Sequence, residues 1–386
     1  MHNTKYFEPN RRATWLELFF DLIFVVAIGD VTHILSHTHD GHLDPLQFWQ
    51  YVLIFIPLWW IWASHTMYAN RFDADDRKHR VATLFIMFLL IIISGLIDQR
   101  FLASFDVIIV CYACSKYIVA MMYFVSKYRH KESEAVTTAV GWVIVAGTTI
   151  SLASILFPAP QRYVVFYLGI LFDLIVFIFF LPRRLQGIPA HTEHLIERVG
   201  LLTLIMLGES VISLSTGLAN ISWTVERLMT AATGFVTISS IWWVYFDSFH
   251  LLSKQKLATG HSVLYSHFFV FIGLSILASM IRHAILDDIV VSDFRVLSVI
   301  GAVCFFIGKQ YGYFMERPEL RRQLVVNTLI VFVLIGFALL LPRTSYILLG
   351  LTASVICYAF LSLRYLNVRP ERHDHPRNRA ITGDQP

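Results

Sequence analysis

Apolar and polar positions alternate along this chain on a long scale. Twelve apolar blocks stand out, at residues 16–36, 48–69, 81–97, 104–126, 135–157, 162–181, 194–218, 228–251, 262–284, 295–315, 323–341 and 345–366, with short polar connections between them. Each has about the length a helix needs to cross roughly 30 Å of hydrocarbon. The pattern predicts an all-α, polytopic membrane protein with about twelve transmembrane helices and no room for a soluble domain.

Several blocks resemble one another at a nearly constant offset. LWWIWASH begins at Leu58 and IWWVYFDS at Ile241. The third block opens at His79 and the ninth at His261, and Gly29-Asp30 in the first block has a counterpart in Gly208-Glu209. Internal repeats of this kind set architecture. They predict two six-helix repeats, 1–181 and 195–366, joined by a cytoplasmic linker at 182–194 and followed by a disordered cytoplasmic tail at 367–386. Six is even, so the repeats are expected to lie parallel, related by an axis along the membrane normal.

Composition agrees: 56% of residues are hydrophobic and 15% charged, against about a quarter charged in soluble domains. Lys and Arg number 22 on one set of flanks and 6 on the other, where Arg100, Arg162, Arg227, Arg282, Arg295 and Arg343 lie. That bias places both termini in the cytoplasm. The net charge of +4 follows from this topology, and no nucleic-acid partner is read from it. The first apolar run is too long for a cleaved signal peptide and is expected to act as an uncleaved anchor. Cys111 and Cys114 form a C-x-x-C within the fourth block, expected to be small buried residues.

Charges inside the blocks carry the candidate chemistry, because each costs about 2.5 to 3.5 kcal/mol at a helix centre and so faces a partner or a wet cavity. In the first block, Thr14-x-x-Glu17 fits a helix capping box. Asp21, one turn further in, is too deep for a cap and lies near the depth of His65, with which it can form either a structural hydrogen bond or a titrating pair. Asp30 and His33 share a surface in the outer half of the same helix. Glu209 lies deep in MLGESVISLS, among small residues able to meet a neighbouring helix. Lys116 and Asp173 both fall near the midplane and can neutralise each other, while Lys309 and Asp247 have neighbours to find in the second half. Arg198 can snorkel or pair with Asp247. Trp59 and Trp60, like Trp242 and Trp243, occupy mid-helix positions, as core fillers or around a constriction, and Pro57 opens the backbone ladder beside the first pair. Asp21, Asp30, His33, His65, Glu209, Asp247 and the four indoles are candidates for an ion or substrate path. Glu17, Lys116, Asp173, Glu197, Arg198 and Lys309 are candidates for buried charge pairs.

R-x-T-W-x-E-L-F-F-D-L-I-F-V at 12–25, with H-L-I-E-R-x-G-L-L-x-L-I-x-L-G-E-S-V at 194–211, closely resembles the bacterial low-temperature-requirement A (LtrA) family over nearly the whole chain. The resemblance implies a multipass inner-membrane protein associated with growth in the cold, and brings no settled biochemical activity with it. Phe20-Asp21 is also similar to the Phe-Ser-Asp motif of organelle and bacterial potassium channels. Here the serine is replaced by Phe, and the matching place in the seventh block reads LLTLIML.

A transporter or channel for an ion or small solute is the leading expectation. The alternatives are a lipid-acting enzyme or cofactor protein that uses the histidines, and a structural or regulatory membrane component. No H-E-x-x-H spacing occurs, and no cofactor is expected. Expected partners are the bilayer and the transported species, with homo-oligomerisation left open.

Overall fold

A computed structural model describes residues 12–72, 76–97, 104–126, 133–219, 222–253 and 259–365. The 367–386 tail lies outside them. The described residues form thirteen α-helices and no strand: α1 Trp15–His33, α2 Pro45–Phe72, α3 Arg77–Gly95, α4 Phe105–Ser126, α5 Glu134–Ala153, α6 Gln161–Ile175, a short α7 Pro182–Leu185, α8 Thr192–Leu218, α9 Val225–Ser253, α10 His261–Leu286, α11 Val291–Glu316, α12 Arg321–Ala338 and α13 Thr344–Tyr365. All but α7 belong to segments long and apolar enough to span a membrane.

The ends of these helices outrun the apolar blocks because polar residues continue them. α2 runs on through Asn70 and Arg71, and α8 begins at Thr192, inside the stretch read from sequence as a linker. The same stretch holds α7, with Pro182 in its first turn. α6 passes into a π-helical turn at Val176–Phe180.

α2 and α10 form the centre, each with 83% of its apolar window buried, against 22–61% for the other spans. Between them lies an aromatic stack. Phe55 meets Phe268 at 5.5 Å between ring centroids, Trp59 meets Phe271 at 5.5 Å, and Trp59 meets Trp62 at 4.9 Å. In the first six spans α1 packs on α2 and α3, α4 on α2, α3 and α5, and α5 on α6. In the last six α8 packs on α9 and α10, α11 on α9, α10 and α12, and α12 on α13. α9 also packs closely on α13.

Glycines let helices cross closely: a Cβ on Gly169 of α6 would collide with the Gly147 carbonyl of α5. A Cβ on Gly273 of α10 would lie 2.7 Å from the Phe305 backbone nitrogen and 2.9 Å from the Gly301 carbonyl of α11. Small residues permit this approach where lipid offers no hydrophobic drive for helices to associate. Pro57 leaves α2 continuous, but the Leu53 carbonyl loses its usual N–H partner. The Tyr167 hydroxyl of α6 donates to that carbonyl at 2.7 Å, so the ladder is closed by a neighbouring helix.

Candidate functional site

α1 and α8 run side by side in the same direction, since Glu17 faces His194 and Arg198 while Gly29 faces Glu209. Their seam joins the first six spans to the last six. The face where α1 begins is called here the N-terminal face, and the opposite one the far face.

Near the N-terminal face the seam holds a buried ionic network. Thr14 caps α1, and its hydroxyl accepts from the Glu17 backbone N–H while Glu17 reaches back to the Thr14 N–H at 2.9 Å, a complete capping box. Glu17 is not spent on the cap. Its Oε2 also meets His194 Nε2 at 3.0 Å and its Oε1 meets Arg198 Nη1 at 3.4 Å. One turn deeper, Arg198 Nη2 donates to Asp21 Oδ1 at 2.7 Å and Arg198 Nε to Oδ2 at 3.4 Å. Trp62 Nε1 donates to Asp21 Oδ1 at 2.7 Å, and the guanidinium lies 5.7 Å from the centre of the Trp62 ring. Asp21, His194 and Arg198 are fully buried.

The logic is a ladder with a period of one turn: acids at 17 and 21 on α1 face bases at 194 and 198 on α8. Residues four apart share a helix face, so two parallel helices bring both rungs together at once. Opposite charges at such distances, sealed from water, compensate their desolvation only when every rung is hydrogen-bonded. α2 completes the site. Asn70 Nδ2 contacts His194 Nδ1 at 3.1 Å and donates to the His191 carbonyl at 2.9 Å, and Arg71 donates to the carbonyls of Ile188 and Thr259 at 3.0 and 2.7 Å.

Two pairings considered from sequence are replaced by this network. Asp21 meets Arg198 and Trp62 instead of His65, because the indole of α2 occupies the nearer face. His65 instead stacks on Phe20 with centroids 4.3 Å apart and contacts Thr83 Oγ1 at 3.1 Å. Arg198 meets Glu17 and Asp21, while Asp247 lies half-buried on α9. Glu197, next to Arg198, accepts from the Ala13 N–H at 3.1 Å and so ties α8 to the start of α1.

Toward the far face the seam carries a second acidic level. Glu209 lies over Gly29, where a Cβ would come within 2.7 Å of its carboxylate. Asp30 follows on the exposed side and accepts a hydrogen bond from Ser94 of α3. His33 is exposed and meets the His37 ring at 4.8 Å. Beyond them Arg282, His283 and Ser279 of α10 hold the carbonyls of Ser36 and Leu35.

Trp59 and Trp60 are 4% and 5% exposed, within the central core. Trp242 and Trp243 are 49% and 57% exposed, because α9 lies at the periphery and turns these indoles outward. Inside the first half Lys116 meets Asp173 at 3.3 Å, both fully buried, and donates to Ser64 Oγ at 2.6 Å; Trp60 Nε1 also donates to Asp173 at 3.1 Å. Lys309 of α11 donates to Ser248 Oγ at 3.1 Å. Cys111 is buried and Cys114 half-buried, both as free thiols. Among the described residues no group of three or more His, Cys, Asp or Glu is arranged to hold a metal ion.

His194, Asn70, Arg71 and Trp62 were not singled out from sequence. His194 was legible, since H-x3-R on α8 is the basic complement of E-x3-D on α1. The roles of Asn70 and Arg71 depend on how the 181–191 stretch folds back on α2, which no local pattern encodes.

Twelve apolar spans arranged around buried ion pairs define a multi-pass α-helical membrane protein. The profile of the family described as bacterial low temperature requirement A protein (LtrA) matches residues 12–360, and the chain belongs to that family. It is similar to the uncharacterized protein RA0937 of Rhizobium meliloti (strain 1021), at 22% identity over 281 residues, which cover 66% of this chain. The match takes in 65% of that relative's length, less than two thirds.

Proposed function

We propose that this protein moves an ion or small solute across the bacterial inner membrane, with its two six-helix halves shifting against each other along the α1/α8 seam. The seam itself carries the reading. It places ionisable groups at two depths, Glu17, Asp21, His194 and Arg198 near one face and Asp30 and Glu209 near the other, with the aromatic stack of α2 and α10 between those levels. Intramembrane charge grouped this way is characteristic of ion and substrate pathways. Asp21 and Glu209 are the groups we assign to the path.

Duplication supports the same reading. Partners across the seam differ in number by 177 to 184, with Glu17–His194 at the low end, Ala13–Glu197 at the high end and Gly29–Glu209 at 180, around the offset of 179 between Gly29-Asp30 and Gly208-Glu209. Near a local two-fold axis, each position meets its own counterpart. An axis along the membrane normal relates the halves of some transporters, whose substrate sites lie between them. The positive-inside bias puts both termini in the cytoplasm.

A second reading, a static structural seam, is favoured by one observation: both oxygens of Asp21 are already engaged by Arg198. Flux separates the two. Reconstituted wild type conducts under the first reading, and Asp21→Asn and Glu209→Gln reduce that flux while the protein stays folded. Under the second reading these variants lose only thermal stability.

A further inference from the structure

Two lysines are buried in the spans, each on the fourth helix of its half. Lys116 of α4 donates to Ser64 of α2 and lies 4.9 Å from the centre of the Trp60 ring. Lys309 of α11 donates to Ser248 of α9 and lies 5.0 and 5.3 Å from the ring centres of Tyr313 and Tyr358. The two settings differ in one respect. Lys116 has a resident counter-ion in Asp173 of α6, whereas α13, the sixth span of the second half, presents Tyr358 to Lys309, and among the described residues no carboxylate pairs with this lysine.

The surroundings of Lys309 offer protons and little to receive them. The Ser248 hydroxyl gives its own proton to the Val244 carbonyl at 2.9 Å and accepts from both Lys309 and Tyr313. That uses one of three ammonium protons and the Tyr313 proton. Gln310 Nε2 donates to the Tyr358 oxygen at 2.7 Å, so the Tyr358 proton remains to be given. On α12, at the same distance from the α11–α12 turn, Asn327 is 3% exposed and its Nδ2 has no partner. The orphaned acceptor here is Gln310 Oε1. Two aromatic rings lie against the amine, and ring quadrupoles attract cations. A cation held this way inside a membrane needs an anion.

We propose that Lys309, together with the Tyr358 hydroxyl, binds a monovalent anion, chloride or a short carboxylate, which supplies the charge that Asp173 supplies to Lys116. A turn along the same helices, Phe305, Phe306 and Val355 line a small apolar cleft of about 50 Å³, enough for the methyl group of such a carboxylate. The proposal is independent of transport, because it concerns binding to a site away from the α1/α8 seam.

The test uses the full chain purified in detergent. Thermal stability is titrated with sodium chloride and, separately, sodium acetate, with sulfate holding ionic strength constant. Wild type is expected to show a saturable rise in Tm with at least one of the two anions, and the tighter probe names the class. Lys309→Met is expected to abolish the rise. Tyr358→Phe keeps the lysine and nearly the same volume, and is expected to weaken apparent affinity about tenfold through loss of a hydrogen bond to a charged group. Absence of a saturable response in wild type, or an unchanged response in either folded variant, overturns the assignment.

Discussion

Both carboxylate oxygens of Asp21 accept hydrogen bonds, from one guanidinium and one indole, inside a seam closed to solvent. Removing one member of such a pair leaves the other charge buried alone, a loss of about 3 to 5 kcal/mol in soluble proteins. Arg198→Met is therefore expected to lower the unfolding midpoint sharply, because it removes the ion partner of Asp21 and leaves Glu17 with His194 and the Thr14 cap. Asp21→Asn is expected to cost less, since Glu17 still faces the arginine. The Asp21→Asn/Arg198→Met double variant should be more stable than the sum of the single losses, as read by a double-mutant cycle on thermal melts in detergent. At this scale the sequence marked Glu17 as a cap, and the capping box is present, and it marked Asp21 as a carboxylate too deep for one. It did not reveal that one arginine, 177 residues from Asp21 and 181 from Glu17, pairs with both, because that depends on which two helices become neighbours.

Between elements, the backbone is managed by neighbours as much as by each helix. Tyr167→Phe removes the donor that satisfies the carbonyl freed by Pro57, and is expected to cost about 1 kcal/mol. Pro57→Ala in the same chain restores an N–H for Leu53 and is expected to recover most of that loss; a thermal melt of both variants checks it. Gly273→Ala is expected to destabilise by about 1 to 3 kcal/mol, because its methyl would meet the backbone of α11, which cannot turn aside. Gly336→Ala on α12 has open space around its Cβ and is expected to be neutral or stabilising by up to about 1 kcal/mol, as helix propensity gains. Helix number and approximate position were legible from the apolar blocks, since hydrocarbon thickness sets their length. The helix ends were not, because polar residues such as Asn70, Arg71 and Thr192 extend α2 and α8 by bonding to neighbouring segments or by starting a turn. Helix faces were also hidden. The Trp-Trp pairs of α2 and α9 look alike in sequence, yet one pair is central and the other faces outward.

Across the whole molecule, the proposed duplication is carried by matching neighbours and by the parallel α1/α8 seam, but the centre breaks it. α2 is the second span of its half and α10 the third of the other, so the two core helices are not counterparts. Such asymmetry gives the halves different packing. The topology proposed here expects a reporter fused after the last residue to be active only in the cytoplasm, which a paired cytoplasmic and periplasmic reporter assay reads directly. The central claim is that the α1/α8 seam lies on a path through the membrane, and flux in proteoliposomes tests it most directly. Vesicles loaded with a pH-sensitive dye are challenged in turn with gradients of protons, sodium, potassium, chloride and acetate. The account predicts flux above that of empty vesicles for at least one of them, reduced at least about tenfold in folded Asp21→Asn or Glu209→Gln protein by loss of a charge from the path. Flux no greater than in empty vesicles across the panel, or equal flux in wild type and both folded variants, would contradict it.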